Sequence, residues 1–277
     1  MRIRTSFAVA AALLLALTLV GPAAADHSWN NYHWARTTSS FDLQVVDSVT
    51  PEWQGSFDQA LSEWDQASVL NNLVTSADDG ARTRKRCSSV SGQMRVCNAA
   101  YGQNGWLGLA SINIDSSGHI TQGIAKMNDS YDWYYAQTPG EDNHVMCQEI
   151  GHVYGLDHTT EDGSSQATCM DYSTSLNSQW PNAHDYQQLS SIYGHLDSYN
   201  TYDDGGSSGG GGGCNAPPGK GCNKAGFHDG VPAGAIRLQY TPGRDGHLGR
   251  AVYVLPDGND GIWLFHLTLL PEDVHQH

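Results

Sequence analysis

The segment His144-Val-Met-Cys-Gln-Glu-Ile-Gly-His-Val-Tyr-Gly-Leu-Asp-His158 carries more chemical information than any other part of this 277-residue chain. On a helix, side chains four residues apart share a face, so Gln148 and His152 would face the same metal ion. Glu149 would lie to one side, within reach of a water on that ion. The spacing therefore predicts a helix that presents metal ligands together with an acid–base group.

Two features beyond the helix complete this pattern. Gly155 can end the helix in a left-handed conformation, after which the chain would bring His158 back to the same ion. Further along, Cys169-Met-Asp-Tyr172 supplies a methionine that would form an apolar floor under the ligands. Together these residues resemble the signature H-E-x-x-H-x-x-G-x-x-H and the Met-turn of the metzincin zinc peptidases, with Gln148 in place of the first histidine.

The resemblance extends from Phe41 to Leu196 and is matrixin-like. It implies an α+β fold in which a twisted mixed sheet is combined with an active-site helix, a Met-turn and a C-terminal helix. It also implies a zinc-dependent metalloendopeptidase that acts on protein or peptide substrates.

The same resemblance assigns roles to individual residues. The implied metal ligands are Gln148, His152 and His158, and Glu149 would be the general base that activates water. Tyr172 is a second candidate catalytic residue, because a tyrosine at this position in some metzincins reaches the metal or the oxyanion. The alternative for Tyr172 is an ordinary packed side chain.

Gln148 leaves several interpretations open. Its carbonyl oxygen is neutral and a weaker zinc donor than imidazole. Gln148 would bind zinc through this oxygen, or the site would use two histidines and waters or another metal, or the site would hold no metal. In the last case the chain would be a catalytically inactive, metzincin-like secreted binding protein.

Residues 1–25 have the pattern of a secretory signal peptide. Arg2 and Arg4 precede the apolar run from Phe7 to Val20, and Ala23-Ala-Ala25 offers a cleavage site. We expect a secreted, extracellular protein without membrane attachment after cleavage; an uncleaved anchor is the alternative.

The expected mature chain is strongly acidic. Cleavage removes two arginines and no acid, which leaves 29 acidic against 12 basic side chains and a net charge of −17. This charge argues against nucleic acid as a partner. It suits a soluble secreted protein, and calcium is a second candidate cation beside zinc. We expect a monomer.

Six cysteines in an exported chain indicate three disulfide bonds. Many pairings are open, and proximity in sequence favours Cys87–Cys97, Cys147–Cys169 and Cys214–Cys222. The middle pair would tie the active-site helix to the Met-turn. The alternative is that Cys147 or Cys169 is a soft zinc ligand.

Hydrophobic periodicity predicts the elements around the central helix. These are strands at Phe41–Val45, Ser68–Ser76, Trp106–Asp115 and His119–Asn128, and helices at Pro51–Gln66 and Asn182–Leu196. The basic cluster Arg82–Arg86 is expected to be a solvated loop, and His119 to be a turn histidine, since no ligand cluster accompanies it. By the resemblance, Trp106–Asp115 would be the edge strand that pairs with the substrate backbone.

A glycine-rich stretch separates the C-terminal part of the chain. The predicted organisation is a signal peptide at 1–25, a metallopeptidase domain at 26–200, a Gly/Ser-rich linker at 201–213 and a small β-rich module at 214–277. Within the module, alternating patterns predict strands at Ala235–Tyr240, Arg250–Leu255 and Ile262–Leu270.

Overall fold

The structure, a computed structural model, describes residues 27–202 and 230–274. The predicted signal peptide, most of the predicted linker and the Cys214–Cys222 pair lie outside these residues. The described strands and helices form an α+β fold around one mixed sheet, which confirms the predicted fold class.

Nine strands and five α-helices are found in these two ranges. The strands are β1 (His33–Trp34), β2 (Phe41–Ser48), β3 (Leu70–Ala77), β4 (Gln93–Ala99), β5 (Trp106–Ile114), β6 (His119–Asn128), β7 (Ile236–Thr241), β8 (Gly249–Pro256) and β9 (Ile262–Leu269). The helices are α1 (Pro51–Trp64), α2 (Ala81–Arg86), α3 (Asp132–Gln137), α4 (Glu141–Val153) and α5 (Ala183–Ile192).

The sheet has the strand order β3-β2-β4-β6-β5-β9-β8-β7, and β1 pairs with β6. Strands β1 to β4 and β6 pair in parallel, whereas β5 is antiparallel to β6. The last three strands are also antiparallel and extend the same sheet beyond β5. The domain boundaries at 200 and 214 remain predictions.

Strand β5 does not lie at an edge of the sheet. Strand β9 pairs with it antiparallel, from Trp106 opposite Leu269 to Ile114 opposite Ile262. The prediction that this strand offers a free edge is therefore wrong. The physical reason is that an apolar strand of this same chain satisfies the backbone groups that the edge of β5 would otherwise expose.

Helix α1 fixes the position of the central helix α4. Its buried stripe of Trp53, Phe57, Leu61 and Trp64 repeats at helical spacing and packs into the main core. The indole N–H of Trp64 donates a hydrogen bond to the Cys147 carbonyl on α4, at 3.1 Å. Burial of each such side chain stabilises the fold by about 1.5–3 kcal/mol, so α1 holds α4 firmly against the sheet.

Several local predictions have clear outcomes. The Cys87–Cys97 and Cys147–Cys169 disulfides are both present, as predicted. The basic cluster is wrongly predicted as a loop and forms helix α2, which the first disulfide joins to β4. Within 27–202 and 230–274, no helix is both long and apolar enough to cross a membrane.

Candidate metal centre

Glycines at three positions allow the elements around α4 to approach closely. A Cβ on Gly151 would stand 2.6 Å from the sulfur of Met170, so the predicted Met-turn lies directly against the helix. Gly155 has φ +98°, and its missing Cβ leaves room for the Tyr32 carbonyl. This confirms the predicted left-handed glycine after the helix. Gly108 on β5 likewise leaves room for Glu149.

Three histidine side chains meet beside the end of α4. His152 comes from the helix, His158 from the chain after Gly155, and His266 from strand β9. Their ring centroids are 4.0 to 4.7 Å apart, and one nitrogen from each lies within 4.8 Å of the other two. His152 and His266 are fully buried, and His158 is 8 % exposed.

The hydrogen bonds of the rings show which nitrogens are free to bind a metal. His152 donates from Nδ1 to the Leu156 carbonyl at 2.8 Å, so its Nε2 carries the lone pair. In the described part of the chain, His152 Nε2, His158 Nε2 and His266 Nδ1 have no hydrogen-bond partner. Buried polar atoms are normally paired, and a zinc ion is the partner that would satisfy three imidazole nitrogens at once.

The protonation state of the cluster also suits a metal. Burial lowers the pKa of His152 and of His266 well below the ordinary value, and it lowers the pKa of His158 as well. Neutral imidazole is the form that binds a metal. The three rings are therefore ready to bind an ion near neutral pH without first losing a proton.

Glu149 adds an acid–base group to this cluster. Its Oε2 lies 3.7 Å from His266 Nδ1 and has no hydrogen-bond partner among the described residues. Its Oε1 lies 2.5 Å from the Thr268 hydroxyl, whose single proton is shared between this oxygen and Gln148 Oε1. Burial raises the pKa of Glu149 to about 8. A carboxyl with such a pKa can hold and release a proton near neutral pH.

Gln148 lies outside the histidine cluster. Its amide nitrogen donates to the Cys169 carbonyl at 2.8 Å and to the Asp171 carbonyl at 2.9 Å. Its Oε1 accepts from Thr268 at 2.7 Å. All of these bonds connect α4 to the Met-turn and to β9.

The structure thus brings together two of the three predicted ligands, His152 and His158, with the predicted base Glu149. The candidate ligand that sequence reasoning missed is His266. The available signal was the pattern of β9, in which His266 and Thr268 are two residues apart in an otherwise apolar strand and so share a face.

Tyr172 contacts His158 and His266 at the ring nitrogens that do not face the candidate metal position. Its hydroxyl lies 3.0 Å from His158 Nδ1 and 3.4 Å from His266 Nε2, on the side opposite the unpaired nitrogens. Burial raises the pKa of Tyr172 well above its usual value, so the phenol stays neutral. Such contacts orient metal-binding rings and fix their tautomers.

Strands β8 and β9, which we call the C-terminal hairpin, close the site. Besides His266 and Thr268, the hairpin contributes Arg250, which pairs with Asp157 at 3.0 Å and with Glu161 at 2.6 Å. Trp29 also stacks on His152 with a centroid separation of 4.8 Å and contacts His266 at 5.8 Å. The hairpin and Trp29 together cover the cluster.

Two further groups of candidate ligands occur in the described ranges. One contains His27, His184 and Asp185, and the other contains His33, His119 and Asp197. Imidazole-rich groups suit zinc better than calcium, which takes six to eight oxygen ligands. Calcium binding therefore stays an unsupported prediction.

No protein-family model matches the chain, and no curated protein matches it. Among solved structures, myroilysin is similar with a TM-score of 0.35 and 12% identity, over 61% of this chain and 99% of that one. High choriolytic enzyme 1, a hatching enzyme zinc-protease from the medaka fish Oryzias latipes, is similar with a TM-score of 0.33 and 7% identity, over 60% of this chain and 95% of that one. At these values the likeness establishes neither a shared fold nor a shared activity.

Proposed function

We propose that this protein is a secreted zinc metalloendopeptidase whose metal is held by His152, His158 and His266. The observation that carries the proposal is the convergence of three buried, unpaired imidazole nitrogens beside the free carboxylate oxygen of Glu149. Three histidines and an adjacent carboxylate are a donor set that fits a catalytic zinc site.

Zinc, when bound, supplies the Lewis acidity that polarises a peptide carbonyl and lowers the pKa of a coordinated water. Glu149 Oε2 would accept a proton from a water placed beside it and would pass that proton to the leaving amine. The Thr268 hydroxyl holds the other oxygen of this carboxylate and so fixes its orientation. Tyr172, proposed from the sequence as an oxyanion group, orients His158 and His266 from behind.

The described form is closed to a peptide substrate. Glu149, His152 and His266 are fully buried, and β9 pairs with the strand of the sheet that was expected to bind substrate. Peptide hydrolysis therefore requires the C-terminal hairpin to move. The ion pairs of Arg250 with Asp157 and Glu161 are contacts that oppose this movement.

A second candidate function is a noncatalytic, secreted metal-binding protein. The observation that favours it is the burial of the histidine cluster, since a structural zinc needs no access for substrate. The observation against it is Glu149, because a structural site has no use for a buried carboxyl aimed at the metal ligands.

The test combines zinc analysis with hydrolysis of a quenched fluorescent peptide library by the full-length protein. We expect at least one equivalent of zinc, one equivalent fewer in His266→Ala than in the natural protein, and turnover that Glu149→Gln abolishes while its zinc content stays unchanged. Arg250→Ala should increase turnover, because it frees the hairpin. Stoichiometric zinc without turnover in the natural protein and in Arg250→Ala would support the noncatalytic function. Absence of zinc would contradict both functions.

A further inference from the structure

A second group of histidines lies away from the candidate metal centre, where three separate parts of the chain meet. His33 belongs to β1, His119 begins β6, and His195 and Asp197 follow helix α5. The ring of His33 lies 4.9 Å from that of His119 and 4.7 Å from that of His195. The peptidase chemistry proposed above uses none of these residues.

All three imidazoles direct Nε2 at the carboxylate of Asp197. His33 Nε2 lies 3.5 Å from Oδ2, while His119 Nε2 and His195 Nε2 lie 3.4 and 3.6 Å from Oδ1. Direct hydrogen bonds would be shorter, at about 2.7–3.2 Å. Ligand atoms in a tetrahedron around zinc, with bonds of about 2.0–2.1 Å, are separated by about 3.4 Å. One ligand atom each of His33, His119 and Asp197 lies within 4.8 Å of the other two, so these three residues converge as ligands that share an ion would.

The tautomer of His33 supports the same conclusion. Its Nδ1 lies 2.7 Å from the Asn31 carbonyl, which can only accept, so Nδ1 carries the hydrogen. In the neutral ring, Nε2 then presents a lone pair to an anionic carboxylate, an arrangement that either a bound cation or protonation of the ring would relieve. The separation of 3.5 Å is longer than an imidazolium–carboxylate hydrogen bond and favours the bound cation. The ring is 7 % exposed, and its Nε2 has no hydrogen-bond partner in the described ranges.

His119 is held in the same way by a chain of hydrogen bonds. Its Nδ1 lies 2.6 Å from the hydroxyl of Tyr199, and this hydroxyl donates to Asp115 Oδ2 at 3.1 Å. Because the Tyr199 proton is directed to Asp115, the tyrosine oxygen accepts from Nδ1–H of His119. The lone pair of His119 is again left on Nε2, facing Asp197. This is the outer hydrogen bonding that orients metal-binding histidines.

We propose that His33, His119 and Asp197 form a second, structural site for zinc. The exposed His195, whose Nε2 lies 3.6 Å from Asp197 Oδ1, completes the site by a rotation of its side chain. Three imidazoles and one carboxylate then give a closed four-coordinate set, which is typical of structural zinc and selects against calcium and magnesium. The side chain of His195 is 55 % exposed and gives the ion a path from solvent. The bound ion joins the N-terminal segment, the β5–β6 turn and the chain after α5, and so stabilises the fold.

The test is zinc-edge anomalous diffraction from crystals of the full-length protein, together with thermal unfolding at increasing zinc concentration. We expect an anomalous peak bonded to the four ligand atoms, separate from any peak at His152, His158 and His266. His195→Asn should weaken zinc binding at this site at least about tenfold and reduce the zinc-dependent rise in unfolding temperature. Because this side chain is half exposed, the variant should fold normally.

His184→Asn is the matched control, since His184 also lies in the C-terminal part of the described domain but belongs to the group with His27 and Asp185. It should leave the anomalous peak and the zinc response unchanged. The proposal would be overturned if His184→Asn alone lost the zinc-dependent rise in unfolding temperature. It would also be overturned if zinc-soaked crystals showed no anomalous peak at Asp197. Failure of the peptidase proposal would appear separately, as a missing peak at His266.

Discussion

Replacement of Gln148 by methionine separates a ligand role from a structural role for this residue. Methionine has a similar volume and adapts to irregular space, so the substitution removes the polar contacts with little change in packing. The lost contacts are two hydrogen bonds to the Cys169 and Asp171 carbonyls and one from Thr268. At about 1 kcal/mol for each buried bond, the free energy of unfolding should fall by about 3 kcal/mol.

The zinc content of Gln148→Met should not change, because the amide of Gln148 is bonded to the Cys169 and Asp171 carbonyls and to Thr268. The free energy of unfolding is measured by urea titration in the presence of a chelator, and zinc by elemental analysis after dialysis. Gln54→Met is the control: Gln54 also donates two side-chain hydrogen bonds from a helix, to Asp47 and Asp58, but it is half exposed. This control should change the stability by less than about 0.5 kcal/mol.

One result would refute the reasoning. If Gln148→Met lost its zinc while the chelator-treated protein kept its normal free energy of unfolding, Gln148 would be a ligand, as the sequence pattern first predicted. The hydrogen bonds to the Met-turn would then contribute nothing measurable. His266→Ala has the opposite expected result: it should lose one equivalent of zinc although the hydrogen bonds of Gln148 to the Met-turn remain.

Two further predictions concern the helix that carries the site. Burial raises the pKa of Glu141 to about 8 from 4.5, so the native state holds a proton that the unfolded chain releases. The free energy of unfolding should therefore fall as pH rises between these values, by up to about 1.4 kcal/mol per pH unit. Glu141→Gln should flatten this dependence in urea titrations with chelator, and an unchanged slope would contradict it. Gly155→Ala should cost about 2–4 kcal/mol, because it adds a clash with the Tyr32 carbonyl to the strain of a positive φ. Gly102→Ala, at φ +101° with nothing within 4 Å, should show the strain alone, and equal losses in the two variants would exclude the clash.

The sequence predicted those parts of the fold that depend on local patterns. The stripe of Trp53, Phe57, Leu61 and Trp64 has helical spacing, and it forms the buried face of α1. Strand β6 has the predicted bounds, and Gly155 has the predicted left-handed conformation. Each of these depends on neighbours in the chain, which the sequence shows directly.

The parts that could not be predicted depend on contacts between residues far apart in the chain. His266 joins His152 only because β9 pairs with β5, and nothing local in either strand specifies that pairing. The three rings around Asp197 come from equally distant segments. His119 was expected to be a turn histidine because the sequence around it contains no ligand cluster, and its partners are supplied by topology alone.

Pairing of β9 with β5 also gives one physical explanation for two departures from the metzincin pattern. A glutamine at position 148 cannot offer an imidazole to the metal, but its Oε1 accepts a hydrogen bond from Thr268 on β9. Thr268 lies two residues from His266 on the same face of that strand. The hydrogen bond between Gln148 and Thr268 therefore helps to hold strand β9, which carries the proposed replacement ligand His266. A histidine at position 148 would lack the amide that bonds both the Cys169 and Asp171 carbonyls, so Gln148→His should loosen the Met-turn even if it added a ligand.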